Sequence, residues 1–282
     1  TMPSHIDIRL IEYQPETGLL DLDDLKTAIS SKTAAVYFEN PSYLGTLESQ
    51  GQAISGIAHE KGAVSIVGVD PISLGVLAPP AHYGADIVCG EAQPLGIHMH
   101  CGGGLCGFLA CRDDEKYVGE LPSLLISITD SVREGEYAFG QCAYERTSYA
   151  SRERAKDWVG TTTALWAVAA AVYMALMGPN GMKEIGESII QRSHYAAKML
   201  SELEGIRVPF LSFFKEFVVD FKRTDKRVSD INNALLSHGI FGGKDISREF
   251  PELEESALYS VTEIHTLEDI ERLVDALKDV LT

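Results

Sequence analysis

The stretches AAVYFENP at residues 34–41 and GAVSIVGVDP at residues 62–71, with GQAISGIAHEK at 51–61 between them, decide the fold. Each of the first two is a short apolar run closed by an Asn-Pro or Asp-Pro pair, which predicts a buried strand that stops at a turn. The segment between them sets Ile54, Ile57 and Ala58 on one face and ends before Gly62, as a helix does. Strand, helix, strand in that order predicts a parallel, doubly wound sheet, because parallel neighbours need a crossover and a helix supplies it. Upstream, residues 21–30 carry Leu22, Leu25 and Ile29 behind an acidic first turn, another helix. Residues 15–18 read as a turn and residues 6–12 as β-prone. Downstream, residues 85–91 and 105–112 are further strand candidates.

The second half changes character. Residues 161–177 predict a long alanine-rich helix, stopped by Gly178-Pro179-Asn180-Gly181. It is at the short limit for a membrane span and reads as a helix buried in a protein core. An amphipathic helix over 182–203 follows, through Ile185, Ile189, Tyr195 and Leu200. Residues 206–210, 216–221 and 257–262 read as strands and 228–238 as a helix. Thr266 opens a last helix with a capping-box pattern and an apolar stripe at Leu267, Ile270, Leu273, Val274, Leu277 and Val280. This half is α+β. The expected division is a partial large domain over 1–160 and a connecting helix with a small domain over 161–282. Residues 113–154 have little periodicity and are expected to hold short elements or to bind something.

Composition narrows the function. A formal net charge of −17 over 282 residues, without a basic stripe, argues against nucleic acid and anionic membrane as partners. Five cysteines in no framework fit reduced thiols in the cytoplasm. Thr1 to Glu12 lack the basic start and long apolar run of a secretory leader.

The residues that could carry chemistry sit at strand ends. Asp70 has two readings. A carboxylate at the carboxyl edge of a doubly wound sheet suits the aspartate that pairs with the pyridine nitrogen of pyridoxal phosphate (PLP); Asp-Pro is also an ordinary turn. A PLP enzyme needs an amine for a Schiff base, one more strand further on. No lysine lies between Lys61 and Lys116, and Gln93-Pro94-Leu95 stands near the expected place. Such a domain ordinarily begins with helices and a glycine-rich turn, whereas this chain starts at a strand, so a piece of a longer polypeptide is expected. His98, His100, Cys101, Cys106 and Cys111 include no CxxC pair, and no metal site is expected. Gly102-Gly103-Gly104 suits either close approach of backbone amides to an anion or a plain turn. Arg146, Arg152 and Arg154 suit an anion, a subunit interface or solvated surface.

Five stretches carry a resemblance: VYFENPSYLG (36–45), GADIVCGEAQPLGIHMHCGGG (84–104), RERAKDWVGT (152–161), ALWAVAAAVYMALMGPNG (164–181) and FFKEFVV (213–219), with looser agreement at GIFGGKD (239–245). Together they make the chain resemble the P-protein (glycine decarboxylase) family of the glycine cleavage system, above all the α subunit of its two-chain form. The resemblance implies an α/β PLP-dependent transferase fold (aspartate aminotransferase, fold type I): a large domain truncated at its N-terminus, then the α+β small domain. It implies glycine decarboxylation with transfer of the aminomethyl group to the lipoyl H-protein. The catalytic lysine and the PLP would belong to a partner β subunit, in a heterotetramer of two α and two β subunits, with no covalent PLP in this chain. By the same resemblance Asn40, Asp70, His100, Gly102 and Gly103 match cofactor-binding positions, as relics here, and Arg152, Glu153 and Thr161 match a segment facing the partner's site. Lys156-Asp157-Trp158 depart from the family's Thr-Ser-Asn, so the role of that segment is not carried over. The alternative is a scaffold of the same fold with no catalytic share.

Overall fold

In the computed structural model, which describes residues 6–99, 106–121, 125–141 and 163–282, the first regular element is helix α1 (Leu22–Ala28). Asp21 caps it, accepting hydrogen bonds from the amides of Asp23 and Asp24. Strand β1 (Ala35–Glu39), helix α2 (Gly51–Glu60) and strands β2 (Val64–Val69), β3 (Ile87–Glu91) and β4 (Gly107–Cys111) follow. They form one sheet in the order β1-β2-β3-β4. β1, β2 and β3 are parallel and β4 runs antiparallel to β3. Leu25 and Ile29 with Ile54 and Ala58 of α2 cover Val36, Phe38, Val67 and Val69. Only this face of β1 is buried; Ala35, Tyr37 and Glu39 point outward and are exposed. The expected fully buried strand is therefore half-buried, because α1 and α2 lie on one side only.

Residues 113–141 hold helix α3 (Glu115–Val118) and a hairpin of β5 (Ile126–Asp130) and β6 (Tyr137–Gln141), short elements as expected. Helix α4 (Ala164–Ser201) is broken at Gly178, which adopts φ 61° and ψ −179° before Pro179. Its second part buries Ile189, Ala196, Ala197 and Leu200. Its first part corrects the core-helix reading. From Ala164 to Met177 only Ala170 is buried, and Leu165 (71%) and Leu176 (81%) are largely exposed. By length and composition α4 would also pass as a membrane span. A helix that is apolar on every side does not reveal from its composition which face is covered, or by what.

Strand β7 (Glu216–Asp220), helix α5 (Val228–Ser237), strands β8 (Lys244–Asp245) and β9 (Ser256–Ser260) and helix α6 (Leu267–Leu281) complete the chain. Their sheet is antiparallel, in the order β7-β9-β8. Thr266 and Asp269 close the capping box of α6. Residues 206–210 do not form the expected strand. Ile206, Val208 and Phe210 are buried, but only Arg207 bridges to Asp220. Residues 6–12 likewise form no regular element, and Ile6, Ile8 and Leu10 are exposed. In both, apolar content predicted a regular strand where none forms.

The two sheets are joined by the loop after β1. Thr46 bridges to Phe213, and the Leu47 amide donates to the Ser212 carbonyl at 3.0 Å. Gly45 (φ 83°) lies on the Glu216 backbone so closely that a Cβ would stand 1.9 Å from its carbonyl oxygen. This contact carries the start of β7 to the carboxyl edge of the first sheet.

Candidate functional site

β1, β2 and β3 are parallel and in register, with Glu39 beside Gly68 and Val69 beside Gly90. Asn40, Asp70 and the loop over residues 92–97 therefore leave the sheet along one edge, the one at which ligands bind in α/β sheets. Asn40 is committed to its own loop: its Nδ2 donates to the Glu48 carbonyl at 3.2 Å, and its Oδ1 accepts from the Glu48 amide at 3.1 Å. The Glu48 carboxylate is buried and accepts from the amides of Leu20 and Gln50 at 2.9 and 2.8 Å.

Asp70 realises the turn reading with one oxygen and an ion pair with the other. Oδ1 accepts from the Ile72 amide at 2.8 Å, and the main-chain carbonyl accepts from the Ser73 hydroxyl at 2.7 Å. Oδ2 is shielded from solvent and ion-pairs with the ammonium of Lys215. Glu216 Oε1 lies 3.6 Å from the same ammonium. Burial alone would push the Lys215 pKa down, but the Asp70 and Glu216 carboxylates outweigh it and hold it above the usual lysine value. Burial pushes the Glu216 carboxyl up, against the pull of Lys215. Lys215 is thus a held cation, not a free amine.

The loop after β3 carries no amine. Glu91 Oε1 accepts from the amides of Gln93 at 3.1 Å and Cys106 at 2.8 Å, and the Ala92 amide donates to the Cys106 carbonyl at 2.9 Å. Leu95 and Ile97 are buried with Ala170, Ile189 and Phe214, and Pro94 is half-buried between them and the surface. Gly96 (φ 80°) permits close packing on Tyr173. The described residues therefore do not fit a PLP held by this chain. The loop has no imine-forming side chain, Lys215 is locked between carboxylates, and Asn40 and Asp70 both have internal partners. His100, Gly102, Gly103, Arg152, Glu153 and Thr161, and the departure at Lys156-Asp157-Trp158, lie outside the described residues. Among the described residues no three His, Cys, Asp or Glu side chains gather as a metal site. Cys106 is buried, and burial raises its thiol pKa.

Two groups escaped the sequence reading. Lys215 and Glu216 interrupt the apolar run FFKEFVV, and charges set among buried aromatic and branched residues signal that a buried partner waits elsewhere. Asp86 is buried at the opposite end of the sheet. It accepts from the Ser65 amide at 2.9 Å, meets His59 Nε2 at 2.8 Å and lies 3.3 Å from Arg112. It braces the end of α2, the start of β2 and the end of β4.

Comparison with known proteins agrees with this architecture. Residues 4–277 match the family described as Glycine cleavage system P-protein. A probable glycine dehydrogenase (decarboxylating) subunit 1 of Staphylothermus marinus is 41% identical over 99% of this chain and 60% of its own length. The protein of the same description from Pyrococcus furiosus is 41% identical over 100% of this chain and 61% of its own. The chain thus spans about 60% of the length of the relatives it matches. The crystal structure of a glycine decarboxylase (P-protein) of the glycine cleavage system, in inhibitor-bound form, superposes with a TM-score of 0.79 at 37% identity, covering 89% of this chain and 56% of that one. A NifS-like protein from Rickettsia africae shares the fold alone, with a TM-score of 0.66 at 15% identity over 96% of this chain and 68% of that one. The fold is that of the type I PLP-dependent transferases, and the chain belongs to the glycine cleavage system P-protein family.

Proposed function

We propose that this chain is part of the non-lysine-bearing subunit of a glycine decarboxylase that works with a β subunit carrying both the catalytic lysine and the PLP. The observation that carries this reading is the strand edge itself: a fold built around PLP, in which the loop after β3 offers Pro94 in place of an amine and Asp70 is ion-paired internally. The assembled enzyme would decarboxylate glycine and pass the aminomethyl group to a lipoyl H-protein, in the cytoplasm, as a heterotetramer of two such subunits and two β subunits.

The share of this chain is surface and shape. Leu165, Val168, Val172 and Leu176 recur every three or four residues along the first part of α4 and are exposed. Ile126, Ile128, Tyr137 and Phe139 line one face of the β5–β6 hairpin and are exposed as well. Contiguous apolar surface of this kind marks a contact face. The β subunit, or the part of the polypeptide that the relatives have in addition, would cover it and exclude water.

The test is reconstitution. This chain, in its full-length natural polypeptide, is expected to release no carbon dioxide from glycine by itself and to restore that activity when mixed with the β subunit and H-protein. Decarboxylation by this polypeptide alone would refute the reading, and a β subunit equally active without it would leave only a scaffold.

A further inference from the structure

Asp70 lies at the carboxyl edge of the parallel strands, and by the family resemblance it holds the position that would face the pyridine nitrogen of a PLP ring. We infer that the Lys215 ammonium stands permanently in that place, as an internal counter-ion that closes this strand edge to a cationic heteroaromatic ring and latches the C-terminal sheet onto it. This rests on the function proposed above only for what Asp70 would otherwise meet.

Four observations carry it. The inner oxygen of Asp70 has no solvent contact and is ion-paired with Lys215, and the outer one already accepts from the Ile72 amide, so a ring N–H arriving here would meet a carboxylate whose buried oxygen is taken. The Lys215 side chain is only 21% exposed, and Phe214 and Phe217, its neighbours along the chain, are fully buried. Its backbone cannot withdraw. Ser193 Oγ donates to the Phe214 carbonyl at 2.6 Å, the Val261 amide donates to the Lys215 carbonyl at 3.0 Å, and Gly45 is pressed on Glu216. Finally, Glu216 supplies a second carboxylate at 3.6 Å, so the ammonium is held from two sides. A second cation arriving here would have to displace a paired one from a low-dielectric site, which like-charge repulsion and desolvation both oppose.

The experiment replaces the ammonium by one added from solution. Lys215→Ala leaves the Asp70 carboxylate buried without a counter-ion, and the melting temperature is expected to fall by about 5 °C or more. Millimolar propylammonium, which fits the deleted side chain, is expected to restore most of that loss, and tetramethylammonium is not. Asp70→Asn combined with Lys215→Ala is expected to be insensitive to either amine. Pyridoxamine 5′-phosphate titrated into the wild-type chain is expected to give no saturable change in fluorescence. Saturable binding that Asp70→Asn abolishes would overturn the inference, as would a Lys215→Ala variant indifferent to propylammonium. Should Lys215→Ala not fold, the neutral pair Asp70→Asn with Lys215→Met takes its place. That pair is expected to melt within a few degrees of wild type while Lys215→Met alone does not, and equal losses in the two would overturn the inference. Each arm is read without glycine or β subunit, so its failure is distinct from failure of reconstitution.

Discussion

Strand β7 of the C-terminal sheet and strand β1 of the N-terminal sheet are similar apolar runs in very different surroundings. Phe217, Val218 and Val219 of β7 are all fully buried. Ala196, Leu200, Ile231 and Leu277 close over one face of that strand, and Leu44, Phe210 and Ile246 over the other. In β1, Val36 and Phe38 are buried while Ala35, Tyr37 and Glu39 face outward and are exposed. The first part of α4 shows the same incompleteness, with its apolar residues outward. The C-terminal body covers itself, whereas the N-terminal sheet and α4 present surface that the described residues do not cover. A protein built to share a site between chains would divide in this way, finished where it stands alone and open where it meets another.

The strongest challenge to this contrast is Phe217→Ala. Phe217 is fully buried between Phe213 and Tyr259, with ring centroids at 5.1 and 6.3 Å. Truncation of a buried phenylalanine costs about 3–5 kcal/mol in transfer and cavity terms. Urea unfolding should show a loss of that size, and a loss below about 1 kcal/mol would mean the C-terminal core is not closed.

Asp86 tests the N-terminal sheet at its covered end. Burial pushes its carboxyl up, but the Ser65 amide, His59 and Arg112 together outweigh burial and hold its pKa below the ordinary 3.8. A carboxyl whose folded pKa is depressed adds stability that is fully present above the unfolded value and is lost as pH falls through the folded one. Asp86→Asn should therefore destabilise by about 1–3 kcal/mol at neutral pH. Its difference from wild type should shrink once the pH falls below about 4. Equilibrium unfolding at pH 7 and pH 3.5 measures both, and a pH-independent difference would assign the effect to shape rather than charge.

How much of this was legible depended on whether a signal was local. The β1-α2-β2 unit and the capping box at Thr266 were readable because apolar spacing and turn residues act within a few positions. The reversed direction of β4 was not, since strand direction is set by the connection and leaves no mark in composition. Ile206, Val208 and Phe210 alternate like a strand and are buried like one, yet alternation encodes burial and not pairing, and only Arg207 bridges to the end of β7, at Asp220. At the site, Asp70 and the amine-free loop at Pro94 could be found from strand ends. Lys215 could not be matched to Asp70, because nothing near either residue announces the other. The family resemblance marked both segments without saying that they touch.

The smallest effect expected on the isolated chain is at the open face, and it discriminates best. Leu176 is 81% exposed on α4, so Leu176→Ser removes almost no buried area and should change the stability of the chain by no more than about 0.5 kcal/mol. If α4 is covered in the assembled enzyme, the same substitution places a hydroxyl in an apolar interface and removes a contact at its centre. Binding to the β subunit, followed by titration calorimetry, should then weaken by about tenfold or more. A variant neutral in both measurements would mean that the β subunit does not cover α4. The contrast between the closed and the open regions would then owe nothing to that partner.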